Sequence, residues 1–384
     1  MIYVYLAEHL ITLSPTRSSE KCCNDKTIKT CFGAKVNVDN LMSGDDVTIN
    51  VVSLTFRGQV PPHGRVYKND EGDEAIITYN NDTGNVFGSL KTHKGESFAL
   101  EKCENSHVWI EFDLEMLESM QQEPKYETLE EEDTDRKFFP SSISDTSTAI
   151  MSILVYYTPE FRDATSDIQG FVNQAIAETN QGYANSQIPL EAELFCTKEA
   201  HVRDSEDGLQ QLEDFSRMLG TVRALRNSAD IAILLVKDSS YCGVASAIHS
   251  IPSGDNYAWV HKGCALGYYS FGHEIGHLFG AGHNREVYLQ NRAFFYGHGF
   301  LIPNGYRSIM SYHDPNHRRR VNHYSNPDVS YNGNPTGKWT SNNAKVIINN
   351  RFAMAASGRE ESNCKSTGKR IQYSDGLPNS NFFQ

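Results

Sequence analysis

His273-Glu274-Ile275-Gly276-His277-Leu278-Phe279-Gly280-Ala281-Gly282-His283 decides how this 384-residue chain is read. On a helix, residues four apart lie ~40° apart around the axis, so His273 and His277 share a face. Each can then offer a ring nitrogen to one ion. Glu274 follows the first histidine and can lie beside that ion, where it accepts a proton from water. Gly280 tolerates the positive φ of a sharp helix exit, which brings His283 back as a third ligand. Three protein ligands leave one tetrahedral position open, the mark of a catalytic Zn2+ site rather than a closed structural one. Two histidines and a glutamate share ordinary amphipathic helices by chance; the added glycine and third histidine make the pattern far more specific. The alternative keeps the metal without turnover, as a binding module. Retention of Glu274 speaks against it.

Downstream stands Arg307-Ser308-Ile309-Met310-Ser311-Tyr312. With the histidine motif, this resembles the metzincin metalloendopeptidases. The resemblance implies Met310 as the hydrophobic floor of a methionine turn and Tyr312 as a hydrogen-bond donor or labile ligand at the metal. Cys242-Gly243-Val244-Ala245, Cys264 to Phe271, Tyr296-Gly297-His298-Gly299-Phe300 and Tyr324-Ser325-Asn326-Pro327 follow in order around the motif. That ensemble is similar to the reprolysin-like group, especially the peptidyl-Asp metalloendopeptidases, from about Ile150 to Ala356. Asn284 departs from the venom and ADAM branch, which has aspartate there. The resemblance also places substrate along an edge strand near Val244 to Ser250. It puts Arg318-Arg319-Arg320 where a specificity pocket is often built, which would favour acidic side chains; solvated charge is the alternative.

Composition is globular, with 39% hydrophobic and 22% charged residues. No run of about 18 apolar residues exists, so membrane insertion is not expected. A net charge of −13 disfavours nucleic acid as a partner, leaving proteins or peptides as expected substrates. Eight cysteines suit an oxidising, extracellular compartment. Cys242 and Cys264 flank the approach to the zinc helix and are expected to pair, with Cys196 and Cys364 as a second pair. Met1 to Ala7 is apolar but lacks a basic start, so it is a poor secretion signal. Asn81-Asp82-Thr83 is a glycosylation sequon if the chain is exported.

The organisation is expected in four parts. Residues 1–120 read as a β-rich pro-region: Val47 to Phe56, Glu74 to Tyr79 and His107 to Phe112 are rich in β-branched and aromatic residues. Residues 121–147 read as an acidic linker, with seven acidic residues against one lysine between Gln121 and Asp135. Arg136-Lys137 follows as a candidate processing site, or simply two solvated charges. Residues 148–358 form the catalytic domain, a mixed α+β / α/β fold with a mostly parallel twisted sheet. Its strand runs (Ile150–Tyr157, Leu190–Phe195, Ile231–Val236) alternate with two helical stripes, from Ile168 and from Leu209. Residues 359–384 read as a polar tail. Cys103 is a candidate thiolate that would cap the metal in a latent zymogen; a disulfide with Cys22, Cys23 or Cys31 is the alternative. A zinc hydrolase acting on small amides is a further reading, disfavoured by the methionine turn.

Overall fold

The computed structural model describes residues 9–18, 21–43, 45–49, 52–121, 146–222, 228–287 and 293–358. Nearly all of the acidic linker, with Arg136-Lys137, and the tail with Cys364 lie outside the described residues.

Nine strands make a closed barrel: β1 (His9–Arg17), β2 (Ile28–Val36), β3 (Val47–Ile49), β4 (Val52–Val60), β5 (Gly64–Lys68), β6 (Glu74–Tyr79), β7 (Val86–Lys91), β8 (Ser97–Cys103) and β9 (Ser106–Phe112). Their order around it is β1-β2-β9-β8-β7-β6-β5-β4-β3, closed by a parallel pairing of β1 with β3. The Val47 to Phe56 run, which reads as one strand in sequence, is two strands folded antiparallel with Ile49 opposite Val52. The β-branched run contains Asn50, a residue type that favours turns.

Strand periodicity explains why His107 to Phe112 is almost continuously apolar. Neighbouring side chains point to opposite faces, and here both faces are dry. Trp109 fills the barrel interior with Leu10, Tyr67, Ile77 and Leu100. Val108 and Ile110 face outward and join the core that contains Ile153, Phe171 and Ile275. The barrel and the following fold therefore share one hydrophobic core. Close contacts along the seam require small residues. A Cβ on Gly170 would lie 2.2 Å from Phe87 Cε2, and one on Gly263 would lie 2.0 Å from Thr27 Oγ1. Lys262 and Glu101 make an ion pair of 2.5 Å across the seam, both side chains almost fully buried.

The second sheet runs β11-β10-β12-β14-β13, with β10 (Ala149–Tyr157), β11 (Leu190–Glu199), β12 (Ile231–Val236), β13 (Gly243–Ala245) and β14 (Tyr257–His261). All pairings are parallel except that of β13, the antiparallel edge. Helix Ile168–Asn185 carries the chain from β10 to β11, and helix Gly208–Thr221 follows β11, as parallel strands demand crossovers. Asp167 and Asp207 cap the two helices. Both sheet faces are buried, with Ile153, Val155, Ile233 and Leu235 in one core and Leu154, Tyr156, Leu234 and Val236 in another. Among the described residues no helix is long and apolar enough to cross a membrane.

Candidate active site

Helix Ser270–Phe279 is buried at every residue. His273, Glu274 and His277 lie within little more than one of its turns. The ring nitrogens turn toward each other: His273 Nε2 and His277 Nε2 are 3.1 Å apart. Their Nδ1 atoms face carbonyls, that of Ile309 at 2.9 Å and that of Ala281 at 2.8 Å. A ring that donates from Nδ1 carries its lone pair on Nε2. Two such lone pairs this close repel unless a cation lies between them. The spacing is near the ~3.3 Å required of two nitrogens about 2.0–2.1 Å from one tetrahedral ion.

Gly280 ends the helix at φ 105, with its N–H on the carbonyls of Gly276 and His277. A Cβ there would meet Phe294 Cε2 at 2.6 Å, so glycine is needed for both conformation and space. Helix carbonyls are also taken from outside, by His249 N on His277 O and Ser250 N on Leu278 O. Past the turn, His283 closes the triad, its ring centroid 4.6 Å from that of His277 and 5.3 Å from that of His273. One donor atom from each of the three lies within 4.8 Å of the others. The donor set, three inward imidazoles of which two are held from behind by carbonyls, fits a borderline-soft divalent metal.

Met310 is fully buried under this helix. A Cβ on Gly276 would lie 2.7 Å from its sulfur, so the motif's first glycine makes room for that floor. Tyr312 lies against His283, ring centroids 3.9 Å apart, and its N–H donates to Asn284 Oδ1 at 2.9 Å. Asn284, the residue that departs from the aspartate branch, thus joins the third histidine to the tyrosine's backbone. His298 donates to the carbonyl of His283 at 3.0 Å, and burial lowers its pKa, which favours the neutral ring.

The three adjacent arginines go to three places. Arg318 is half exposed and pairs with Glu118 at 3.2 Å. Arg319 lies on the Tyr306 ring at 4.1 Å and donates to the barrel carbonyl of His93. Arg320 is buried behind helix Ser270–Phe279, bonded to the carbonyls of Ile309 and Tyr268, with Nη2 2.7 Å from His273 Nδ1. Burial, partly offset by Tyr268, pulls its pKa down to about 10. Cys242 and Cys264, the expected pair, are disulfide-bonded. Cys103 is bonded to Cys22, and Cys23 to Cys31; Cys103 therefore offers no thiolate to a metal, and the cysteine-cap expectation is corrected. Cys196 is also disulfide-bonded.

Sequence reading missed Tyr268, Arg307 and Lys91. Arg307 is fully buried, and Lys91 and Arg307 both stand over the Tyr268 ring at 5.9 Å, with Arg320 at 4.9 Å. Only the position of Arg307, three residues before Met310, hinted at a role. Glu274 lies against the sheet edge: a Cβ on Gly243 of β13 would meet its Oε1 at 2.7 Å.

The family model for Reprolysin_5, metallo-peptidase family M12, matches residues 147–325. The peptidyl-Asp metalloendopeptidase of Stenotrophomonas maltophilia (strain K279a) is 32% identical over 308 residues, 75% of this chain and 72% of that protein. The peptidyl-Asp metalloendopeptidase of Xanthomonas campestris pv. campestris is 32% identical over 344 residues, 85% of this chain and 79% of that protein. This chain belongs to the M12 metallopeptidases. It is a metal-dependent endopeptidase, and its substrates are proteins or peptides. Within this M12 chain the triad on helix Ser270–Phe279 and the turn after it is a buried three-histidine group that can hold the ion.

Proposed function

We propose that the M12 fold here is a zinc endopeptidase whose metal is held by His273, His277 and His283. The observation that carries this is the convergence of the His273 and His277 Nε2 atoms while their Nδ1 atoms face carbonyls. When bound, zinc supplies a Lewis acid that polarises the scissile carbonyl and acidifies water. Glu274 takes the proton of the attacking water and hands it to the departing amine. Ala281 holds the His277 ring in the metal-binding tautomer, while His273 Nδ1 is positioned between the Ile309 carbonyl and the Arg320 guanidinium. β13, the antiparallel edge strand beside Glu274, pairs with the extended substrate backbone. Chelation is expected to abolish hydrolysis of a quenched peptide, and one equivalent of zinc to restore it. Activity that survives complete metal removal rejects the reading.

Tyr312, against His283, donates to the developing oxyanion. Removing one such donor lowers kcat about 10²–10³-fold. Tyr312→Phe is expected to show that loss with little change in KM; an unaltered kcat would remove the residue from the reaction.

The relatives are named for peptidyl-Asp bonds, and cations near the cleft support an acidic preference here as well. Arg320 and Arg318 contribute positive charge on two sides of this region, with Arg319 turned to the barrel. Profiling cleavage of a peptide library is expected to return aspartate or glutamate at one position next to the cut. A profile without acidic enrichment refutes it.

The chain is read as a secreted zymogen, with 1–120 as pro-region, 121–147 as linker cut near Arg136-Lys137, 148–358 as catalytic domain and 359–384 as tail. Mass spectrometry of the exported protein tests this; a mature protein that still begins before residue 120 contradicts it.

A further inference from the structure

The N-terminal barrel region leads to the strand edge beside Glu274. Helix Leu114–Met120, capped by Asp113, leaves the last barrel strand and runs to β13. There Cys242 N donates to Met120 O at 2.7 Å, one residue before the glycine that touches Glu274. The next side chain, Gln121, is buried and fully engaged. Its Oε1 accepts from Tyr268 Oη at 3.1 Å and Arg307 Nη2 at 3.4 Å, and its Nε2 donates to Ser311 O at 3.1 Å. Ser311 stands between Met310 and Tyr312. Glu118, also buried, receives Arg318 on Oε2 at 3.2 Å and has His313 Nδ1 3.2 Å from Oε1.

Gln121 meets its surroundings poorly in charge. Arg307 is fully buried, yet its Nε and Nη1 have no hydrogen-bond partner among the described residues. Arg320 adds a second guanidinium to the same tyrosine ring, and the Lys91 amine lies over it as well. A neutral amide gives this pocket one weak acceptor. A carboxylate of similar length gives two oxygens and a negative charge, the natural complement of a guanidinium fork.

We propose that Gln121 is a resident, neutral stand-in for an acidic substrate side chain, held between Tyr268 and Arg307 so that the N-terminal barrel region blocks the cleft, and that Arg307 is the residue that recognises the carboxylate once Gln121 withdraws. This rests on the reading that peptides are cut beside Glu274. Met120 occupies backbone hydrogen-bonding capacity next to the edge strand, and Glu118 neutralises the rim. Substrate and plug then compete for the same groups.

Three substitutions separate the idea from a merely structural contact. In the full chain carrying Glu274→Gln, binding of a fluorescein-labelled hexapeptide with one central aspartate is read by anisotropy. Affinity is expected to rise at least tenfold from wild-type Gln121 to Gln121→Ala. Gln121→Glu, nearly isosteric, should bind the probe more weakly than wild type and unfold at a higher temperature, because its carboxylate satisfies Arg307. Arg307→Met should erase the preference for the aspartate probe over its asparagine analogue in the Gln121→Ala background. Equal affinity across Ala, Gln and Glu, or a preference unchanged by Arg307→Met, overturns the proposal. If Gln121→Ala fails to fold, the affinity and melting shift of Gln121→Glu decide alone. Casein hydrolysis undiminished by Glu274→Gln would instead mean that the cleft itself is misassigned.

Discussion

Glu274→Gln is expected to lower kcat by about 10²–10⁴-fold while the protein keeps its fold and its metal. The substitution exchanges one oxygen for a nitrogen of nearly the same size. That matters because the site has no slack: Glu274 is buried, and Gly243 stands so close that even a methyl group would strike its carboxylate at 2.7 Å. Alanine in place of Glu274 would leave a void beside the sheet edge; glutamine does not. Ile309, Ala281 and the Gly280 turn help to orient the histidines. Metal content, measured by elemental analysis, should therefore stay at one equivalent. What is lost is a group able to accept and return a proton at neutral pH. Turnover of a quenched peptide at the wild-type rate, with metal in place, would remove Glu274 from the chemistry.

What the sequence discloses and what it withholds divide along a physical line. The histidine spacing, the glycine at the helix exit and the alternation of β-branched runs with helical stripes are local, and local geometry follows from them directly. Strand order is not local. Closure of the barrel by β1 beside β3, and the sharing of β9 between two cores, depend on pairings between distant segments. A short apolar run such as Val108 to Ile110 shows that both faces are dry without saying against what. The arginine triplet illustrates the same limit. Arg319 and Arg320 form a short strand, so successive side chains leave in opposite directions. One turns to the barrel and the other to the back of helix Ser270–Phe279. Arg307 and Lys91 meet across Tyr268 although 216 positions separate them in the chain, and no pattern in either neighbourhood announces it. Cys103 fails as a metal cap for a related reason: proximity to Cys22 is a property of the barrel.

Lys91→Met is expected to stabilise the protein at pH 7 by several kcal/mol and to flatten its stability at alkaline pH. Lys91 ends β7 with its amine buried; burial first, then Arg307 and Arg320, bring its pKa down from 10.5 to about 7. Between those values the unfolded chain binds a proton that the folded chain does not. Stability therefore rises as pH climbs from 7 toward 10.5, and below pH 7 the full penalty is present. A shift of this size corresponds to about 4–5 kcal/mol, of which methionine, similar in length and uncharged, should recover a large part. Glu178 acts in the opposite sense. Burial raises its pKa from 4.5 to about 7, so its own contribution falls from pH 4.5 to 7, against the rising contributions of His107, His261 and His323, whose pKa values burial lowers to about 4. Urea unfolding at pH 7 and 9 tests the Lys91 effect: wild type should gain stability across that interval, and Lys91→Met should lose the rise. A variant no more stable at pH 7, or one as steep between pH 7 and 9, would show that burial does not penalise the charged amine. A charge this unfavourable for folding stands where the barrel meets Tyr268 and the cleft. At pH 7 and above that amine is at most part-protonated in the folded chain, so the positive field around the ring comes chiefly from Arg307 and Arg320, and the stabilised variant should keep its discrimination between aspartate and asparagine peptides.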